Sequence, residues 1–330
     1  MTLFNTRNTF KPFEYPWAYD GYKEQQKAHW LPEEVPMRDD VKDWNHKLSP
    51  EEKNLLTQVF RFFVQGDISV ASGYLHKYIP MFGKQPELAM MLSSFASMEA
   101  VHIDAYSKLL ETVGMPDTEY AAFMQYQEMV DKYNYVETKT RTDNITDIAR
   151  TLAIYSGFTE GLQLFSSFAI LLNFPRFGKM KGMGQIVTWS IRDETIHVKY
   201  MTRLFRTLIE EHPRIWTDEF KGTIYQACRD MVELEDAFIN LAFEQGGIQG
   251  LTKEEVMWYI RFIADRRLLQ LGLKPNYLTD LKAAGYKAGE NPLPWIDEQV
   301  TAVEHSNFFE TRATEYSKAS ATGWDDLFKS

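Results

Sequence analysis

Apolar side chains recur along most of this chain at intervals of three and four residues, the spacing of an amphipathic α-helix. The pattern predicts seven helices, in the ranges 50–78, 86–113, 119–133, 145–172, 183–211, 218–243 and 253–271. Apolar and polar residues do not alternate with a period of two over a stretch long enough to build a sheet. The sequence therefore predicts an all-α fold.

Capping residues, prolines and glycines set the limits of the predicted bundle. Ser49 is placed to cap the first of these helices, with Pro50 at its first helical position. The segment before Ser49 contains four prolines and looks mostly irregular, while the chain from residue 284 onward carries glycine, proline and small polar residues. We therefore divide the chain into an N-terminal arm (1–48), a helical bundle (49–283) and a C-terminal segment that ends in a mobile, partner-binding tail (284–330).

Two Glu-x-x-His sequences interrupt the apolar stripes of the second and fifth predicted helices. They are Glu99 with His102, and Glu194 with His197. Residues three apart in a helix project from the same face, so each pair should point toward the core. The core-facing stripe of the second helix consists of Leu88, Leu92, Phe95, Glu99, His102, Tyr106 and Leu109.

One acidic residue also lies in the apolar stripe of each of two further helices, Asp67 in the first and Glu160 in the fourth. Either acid alone would more commonly be a satisfied polar group of the core. Together with the two Glu-x-x-His pairs they would bring four buried carboxylates close together, which is costly without compensating cations. Two divalent metal ions remove that cost, and this combination is the ligand set of a dinuclear site in a helical bundle. Oxygen and imidazole ligands favour iron or manganese.

Composition excludes several other classes of protein. The formal net charge of −10 argues against a nucleic-acid partner, because phosphate binding needs a basic surface. Cys228 is the only cysteine, which excludes an internal disulfide and a thiolate metal site. The most apolar run, residues 165–174, is too short to span a membrane, and the N-terminus lacks the apolar core of a signal peptide. We expect a cytoplasmic protein.

At these residues the chain resembles the radical-generating small subunit (β, or R2) of class I ribonucleotide reductase, a family with a ferritin-like fold. The resemblance covers nearly the whole chain and includes the order and spacing of the six candidate ligands. The segments that carry it are residues 30–34 (WLPEE), 97–102 (SMEAVH) with Tyr106, 192–197 (RDETIH) and, in the tail, 324–328 (WDDLF).

The resemblance implies a dinuclear centre of two iron ions, two manganese ions or one of each. It also implies that oxygen activation there converts Tyr106, one helical turn after His102, to a stable tyrosyl radical. Leu164 and Phe168 suit the apolar pocket that surrounds this radical in the family, whereas Ser190 is a polar departure from it. The implied metal ligands are Asp67, Glu99, His102, Glu160, Glu194 and His197.

The resemblance further implies that the oxidising equivalent leaves this subunit for a large catalytic subunit, which reduces ribonucleotides. Trp30, Asp193 and His102 would form the inner part of the transfer route, and Tyr316 the relay in the tail. The apolar residues within 324–328 would anchor the tail in a groove of the large subunit. A homodimer is implied as well, and the residues leave open whether a flavoprotein activase is needed.

Two other functions compete with this interpretation. A di-metal oxidase that acts without a reductase large subunit would share the ligand pattern, but it would not need Trp30, Tyr106 and a tail with Tyr316 together. A helical scaffold with a vestigial ligand set would need no metal at all. The sequence also does not choose between iron and manganese, because that choice depends on geometry around the ligands and on metal supply.

Overall fold

The computed structural model describes residues 2–300, apart from the side chain of Val64. Within that range the regular structure is helical and contains no β-strand, so the predicted all-α fold is confirmed. No helix of the described residues is long and apolar enough to cross a membrane. The described residues up to Pro292 form one compact unit, and Leu293 begins a second. The predicted domain limits after residues 48 and 283 stay predictions.

Thirteen α-helices follow one another in the described chain. They are α1 (Pro16–Lys27), α2 (Arg38–His46), α3 (Pro50–Gly73), α4 (Ile79–Phe82), α5 (Pro86–Val113), α6 (Thr118–Ala122), α7 (Gln127–Lys139), α8 (Ile145–Leu152), α9 (Phe165–Arg176), α10 (Lys181–Glu211), α11 (Asp218–Ala242), α12 (Lys253–Gln270) and α13 (Leu278–Ala283). The described chain also contains two stretches of wider, π-helical turns. The first, Tyr74–Tyr78, connects α3 to α4, and the second, Ala153–Gln163, lies between α8 and α9.

Several helix limits confirm the sequence signals. Ser49 accepts a hydrogen bond from the backbone N–H of Glu52 at 3.2 Å and so caps α3. α5 covers the predicted range and ends where Gly114 adopts a φ of +80°, a left-handed conformation that glycine tolerates best. The limits of α10, α11 and α12 also agree closely with the predicted ranges.

The expectation of a mostly irregular N-terminal arm is wrong for two stretches, which form α1 and α2. α1 packs against α5 and α10. In α2, Asp40 accepts hydrogen bonds from the backbone N–H groups of Gly182 and Met183, and Asp43 accepts one from that of Met180. These carboxylates thus satisfy donors at the N-terminus of α10, which have no partner within that helix. Contacts between segments so far apart leave no local signal in the sequence.

A second carboxylate contact holds the start of the arm on the bundle. Glu87, fully buried in α5, accepts the backbone N–H groups of Glu14 and Tyr15 at 2.9 Å each. The same carboxylate forms an ion pair with Arg7. The arm is therefore fastened to α5 at one end and to α10 at the other.

The helix predicted at 119–133 is also wrong, because two separate helices, α6 and α7, cover this region. Tyr126 lies between them in an extended conformation, with φ −113° and ψ 118°. Its hydroxyl accepts a 2.6 Å hydrogen bond from Arg61 of α3, whose guanidinium lies over the tyrosine ring. This contact with a distant helix holds Tyr126 outside the helical conformation that local periodicity favours.

The helix predicted at 145–172 exists but is irregular in its middle, where the π-helical stretch widens it. It also runs on to Arg176, with Pro175 inside its last turn rather than ending it. Residues 151–174 are buried on every side, and α3, α10, α11 and α12 surround them. This segment is therefore the centre of the bundle, as expected of a helix that is apolar all round.

Close packing of α10 against the end of α9 predicts a cost for Gly184→Ala. A Cβ at this position would overlap the Cγ of Pro175 and lie 3.2 Å from its Cβ, and the proline ring cannot rotate away. We expect a loss of about 1–3 kcal/mol in the free energy of unfolding, measured by urea denaturation. Gly222→Ala in α11 is the matched control, because no atom lies within 4 Å of the added Cβ. That variant should gain about 0.5–1 kcal/mol through helix propensity, and equal stability of the two variants would contradict the packing argument.

Candidate metal centre

Four segments of the bundle place six candidate metal-ligating side chains in its interior. α3, α5, the π-helical stretch at 153–163 and α10 carry them, and each side chain is at most 1% exposed. Their predicted burial is thereby confirmed. The six are Asp67, Glu99, His102, Glu160, Glu194 and His197.

Four of these side chains form a tight group that could hold a metal ion. Glu99, Glu160, Glu194 and His197 each offer one ligand atom, and these atoms all lie within 4.8 Å of one another. His197 Nδ1 lies 2.8 Å from Glu99 Oε1 and 3.6 Å from Glu160 Oε2. Two Glu-x-x-His sequences nearly a hundred residues apart thus meet at one point, as the pattern predicts.

Glu99 and Glu194 lie between two imidazoles, whose ring centroids are 6.4 Å apart. His102 Nδ1 is 3.6 Å from Glu99 Oε2 and 3.4 Å from Glu194 Oε1. The other oxygens, Glu99 Oε1 and Glu194 Oε2, lie 2.8 and 3.8 Å from His197 Nδ1. Each carboxylate therefore presents one oxygen to each imidazole, which suits a ligand shared by two neighbouring cations.

Buried ligand atoms without a hydrogen-bond partner fit such a centre. Among the described residues, both carboxylate oxygens of Asp67, Glu99 and Glu194 lack a hydrogen-bond partner, as do Glu160 Oε1 and both ring nitrogens of His197. Leaving so many buried polar atoms unsatisfied would cost several kcal/mol. The donor set of carboxylate oxygens and imidazole nitrogens suits a pair of divalent cations, which would satisfy these atoms together.

Electrostatics inside the cluster lead to the same conclusion. Burial raises the pKa of Glu194 to about 8, and the nearby charge of Glu99 adds to that rise. Burial also raises the pKa of Asp67 well above its usual value, although His102 opposes the effect. Burial would also raise the pKa of Glu99, but the neighbouring imidazoles of His102 and His197 outweigh it and lower that pKa to about 2. Without a cation, the charge of Glu99 therefore opposes ionisation of the other carboxylates, as expected for like charges in a dry interior.

Tyr106 is fully buried and lies on the same stripe of α5 as the candidate ligands. Its hydroxyl donates a 3.2 Å hydrogen bond to Ser190 Oγ, so the polar residue noted in the sequence contacts the tyrosine directly. The Tyr106 ring packs edge-on against Phe63 with centroids 4.4 Å apart, and Phe63 packs in turn against Phe168 at 5.2 Å. Burial, followed by the charge of Asp67, raises the pKa of Tyr106 well above its usual value.

Trp30, Asp193 and His102 form an unbroken chain of contacts. Trp30 Nε1 donates a 2.8 Å hydrogen bond to Asp193 Oδ2, and His102 Nε2 lies 3.2 Å from the same oxygen. The indole and imidazole rings stack at 6.1 Å. Burial would raise the pKa of Asp193, but the hydrogen bond and charge of His102 outweigh it and lower that pKa. The structure thus brings Trp30 to the candidate ligand His102 through one ionised carboxylate.

Tyr74 is a neighbour of the cluster that the sequence did not single out. Its hydroxyl donates a 2.8 Å hydrogen bond to Glu160 Oε2, and its ring lies edge-on to His197 at 5.8 Å. The sequence feature that could have identified Tyr74 is its position seven residues after Asp67, two turns along the same helix face. Tyr316 and the segment 324–328 lie outside the described residues.

Comparison with known proteins identifies relatives over the whole length. The profile of the family described as "Ribonucleotide reductase, small chain" matches residues 7–284. A probable ribonucleoside-diphosphate reductase small subunit of invertebrate iridescent virus 6 is 43% identical, with 99% of each chain covered. The ribonucleoside-diphosphate reductase subunit beta of Chlamydia pneumoniae is 31% identical, with 96% of this chain and 92% of that protein covered.

Solved structures share the fold. The ribonucleotide reductase R2 subunit from Clostridium botulinum aligns with a TM-score of 0.80 at 24% identity, over 91% of this chain and 94% of that one. The dimanganese(II)-NrdF protein of Streptococcus sanguinis aligns with a TM-score of 0.72 at 22% identity, over 82% of this chain and 94% of that one. At such identities the likeness establishes the ferritin-like R2 fold of this chain.

The position of Glu194 between both imidazoles predicts that Glu194→Gln loses metal. We expect the wild-type chain to bind about two Fe(II) or Mn(II) ions and the variant fewer than about one. The metal content is measured by inductively coupled plasma mass spectrometry after the protein has been loaded with metal and desalted. The metal-free variant should melt at a higher temperature than the metal-free wild type, because one buried acid is removed. Glu233→Gln, an exposed position on α11, is the control and should change neither quantity. Full metal binding by Glu194→Gln would show that this carboxylate is not a ligand.

Proposed function

Because this chain belongs to the family of ribonucleotide reductase small chains, we propose that its carboxylate–imidazole cluster holds a dinuclear metal centre that oxidises Tyr106 to a radical. As a small chain, the protein is a subunit of ribonucleoside-diphosphate reductase, an oxidoreductase that also requires a large subunit. What this chain contributes to that reaction is the oxidising equivalent, and the proposal concerns how its own residues make and release it.

The arrangement around the two imidazoles supports a division of ligands between two ions. Glu99 and Glu194 would be ligands shared by both ions, since each presents one oxygen to each imidazole. His197 with Glu160, and His102 with Asp67, would then be the remaining pairs that hold the ions. Two iron ions, two manganese ions or one of each would supply, with O2 or a reduced oxygen species, the power to remove one electron from a neighbouring side chain.

Tyr106 is the side chain that we propose to be oxidised. The centre would take one electron from it, and Asp67, the carboxylate whose charge acts most strongly on the phenol, would take the phenolic proton. Loss of the electron alone would leave a phenol radical cation, which a dry interior strongly disfavours. The Ser190 hydroxyl is the hydrogen-bond acceptor that fixes the direction of the O–H group. Phe63 packs on the ring, Phe168 packs against Phe63, and the tyrosine is fully buried, which protects a radical from dissolved reductants.

The observation that carries the proposal is the contact chain from His102 through Asp193 to Trp30. An oxidase that acts alone has no need for an indole bonded to a ligand through a buried carboxylate. When Trp30 gives up an electron toward the centre, the negative charge of Asp193 stabilises the positive indole, and its oxygen is placed to hold the N–H proton. Trp30 is thus suited to pass the oxidising equivalent outward.

The remaining steps extend to the large subunit. We propose that Tyr316 relays the oxidising equivalent from Trp30 and that the apolar residues in 324–328 dock the tail in a groove of the large subunit. A homodimer and a cytoplasmic location complete the proposal.

Electron paramagnetic resonance tests the role of Tyr106. Aerobic reconstitution of the wild-type chain should give a sharp organic radical signal, and Tyr106→Phe should abolish it while the metal content stays the same. Tyr135→Phe, a half-buried tyrosine bonded to Asp230 on α11, is the matched control and should keep the signal. If Tyr106→Phe keeps a radical signal with an unchanged line shape, the signal belongs to another residue.

Removal of the residues after Arg312 tests the partnership with the large subunit. The truncated chain should keep its metals and its Tyr106 radical but lose ribonucleotide reduction when mixed with the large subunit, because relay and anchor are both gone. A point variant, Tyr316→Phe, should lose turnover while still competing with the full chain for the large subunit. Unchanged ribonucleotide reduction in both variants would show that neither the relay nor the anchor lies in the tail. No ribonucleotide reduction by the full chain with the large subunit would favour an oxidase that works without such a partner.

A further inference from the structure

Tyr74 contacts the candidate metal centre on a different side from Tyr106 and Trp30. Its hydroxyl is bonded to Glu160, and its ring faces His197, whereas Trp30 reaches the cluster through His102. Tyr74 is fully buried, and its bond to Glu160 makes it the one described tyrosine with a hydrogen bond to a candidate ligand. Tyr74 has no role in the proposed oxidation of Tyr106 or in the proposed transfer through Trp30.

Two more buried tyrosines continue from Tyr74 toward the surface. Tyr74 and Tyr78 are four residues apart in a π-helical stretch, and their rings meet edge-on with centroids 5.6 Å apart. Tyr78 meets Tyr155 in the same way at 5.8 Å. Gly73 permits this approach, because a Cβ there would lie 2.8 Å from the Tyr155 ring. The three rings therefore form one continuous aromatic stack inside the bundle.

The outer end of the stack lies at a partly exposed lysine. Lys77 Nζ donates a 3.2 Å hydrogen bond to the Tyr155 hydroxyl and a 2.6 Å bond to Thr140 Oγ1. The ammonium also lies 4.9 Å from the centre of the Tyr155 ring. The stack thus runs from the candidate ligand Glu160 to the surface at Lys77.

We propose that Tyr74 is redox-active and that the Tyr74–Tyr78–Tyr155 stack admits electrons from an external one-electron reductant to the metal centre. This rests on the proposed dinuclear centre but not on the Tyr106 radical or on the large subunit. The route would let the protein return an oxidised centre to its reduced state without drawing an electron through Trp30.

Electrons and protons balance along this route. Tyr74 gives one electron to the oxidised metal ions and moves its phenolic proton along the 2.8 Å hydrogen bond to Glu160 Oε2, which leaves a neutral tyrosyl radical. An electron from a small reductant such as ascorbate then crosses Tyr155 and Tyr78 to the Tyr74 radical, and Glu160 returns the proton. The net change is one electron gained by the metal centre and one lost by the reductant.

Tyr78 and Tyr155 conduct without holding the radical themselves. The partner of the Tyr78 hydroxyl is the carbonyl oxygen of Thr151 at 3.5 Å, which does not take up a proton. The Tyr155 hydroxyl faces the Lys77 ammonium, a donor that disfavours a second positive charge. Of these three tyrosines only Tyr74 has a carboxylate to receive its proton, so within the stack it alone is suited to oxidation.

Anaerobic reduction of the oxidised, iron-loaded full chain by ascorbate tests the inference. The rate is followed by the absorbance of oxidised iron, without the large subunit, in the wild type, Tyr74→Phe and Tyr78→Leu. Tyr74→Phe keeps the ring but cannot lose a proton, and Tyr78→Leu keeps the Tyr74 hydrogen bond but removes the aromatic bridge. We expect both variants to be slower by about tenfold or more, with unchanged iron content.

Tyr135→Phe is the control and should be reduced at the wild-type rate, and Trp30→Phe tests whether electrons enter at the indole instead. A wild-type rate in Tyr74→Phe overturns the inference, and so does slow reduction in Trp30→Phe alone, which would place electron entry at the indole. A chain that binds no iron fails at the metal analysis and contradicts the proposed function instead. A metal-loaded chain whose reduction ignores Tyr74 contradicts only this inference.

Discussion

Negative charge confined in a dry interior is the constraint on which this molecule depends. Four carboxylates and two imidazoles lie at the centre of a helical bundle, and each is at most 1% exposed. Among the described residues, most of their nitrogen and oxygen atoms lack a hydrogen-bond partner. Hydrophobic packing alone would not place them there, because each unpaired acid destabilises the fold. The surrounding helices must therefore be stable enough to compensate for this cost.

Periodicity predicted the burial of these six side chains because their direction depends on helix geometry alone. Glu99 with His102, and Glu194 with His197, stand three residues apart in regular α-helices, so their common direction follows from the sequence. Glu160 was placed correctly too, although its helix is π-helical at that point. Its burial on all sides made the prediction insensitive to the exact turn geometry.

Features that depend on contacts between distant segments could not be predicted in this way. α2 is a short polar helix whose aspartates find their partners at the start of α10, and Tyr126 leaves the helical conformation because of Arg61. The bond from Tyr74 to Glu160 likewise joins two π-helical stretches, which single-sequence periodicity does not detect. Sequence reasoning therefore predicted the burial of the six candidate ligands and missed part of what lies around them.

The attachment of the N-terminal arm to the bundle has a consequence for the contact between Trp30 and Asp193. Trp30 belongs to the arm, which Glu87 and the α2 aspartates hold on the bundle, whereas the ligands belong to the bundle itself. Local opening of the arm would pull the indole from Asp193 and leave the ligands in place. The proposed storage of an oxidising equivalent at the ligands and its proposed release through Trp30 therefore reside in parts of the fold that can separate without global unfolding.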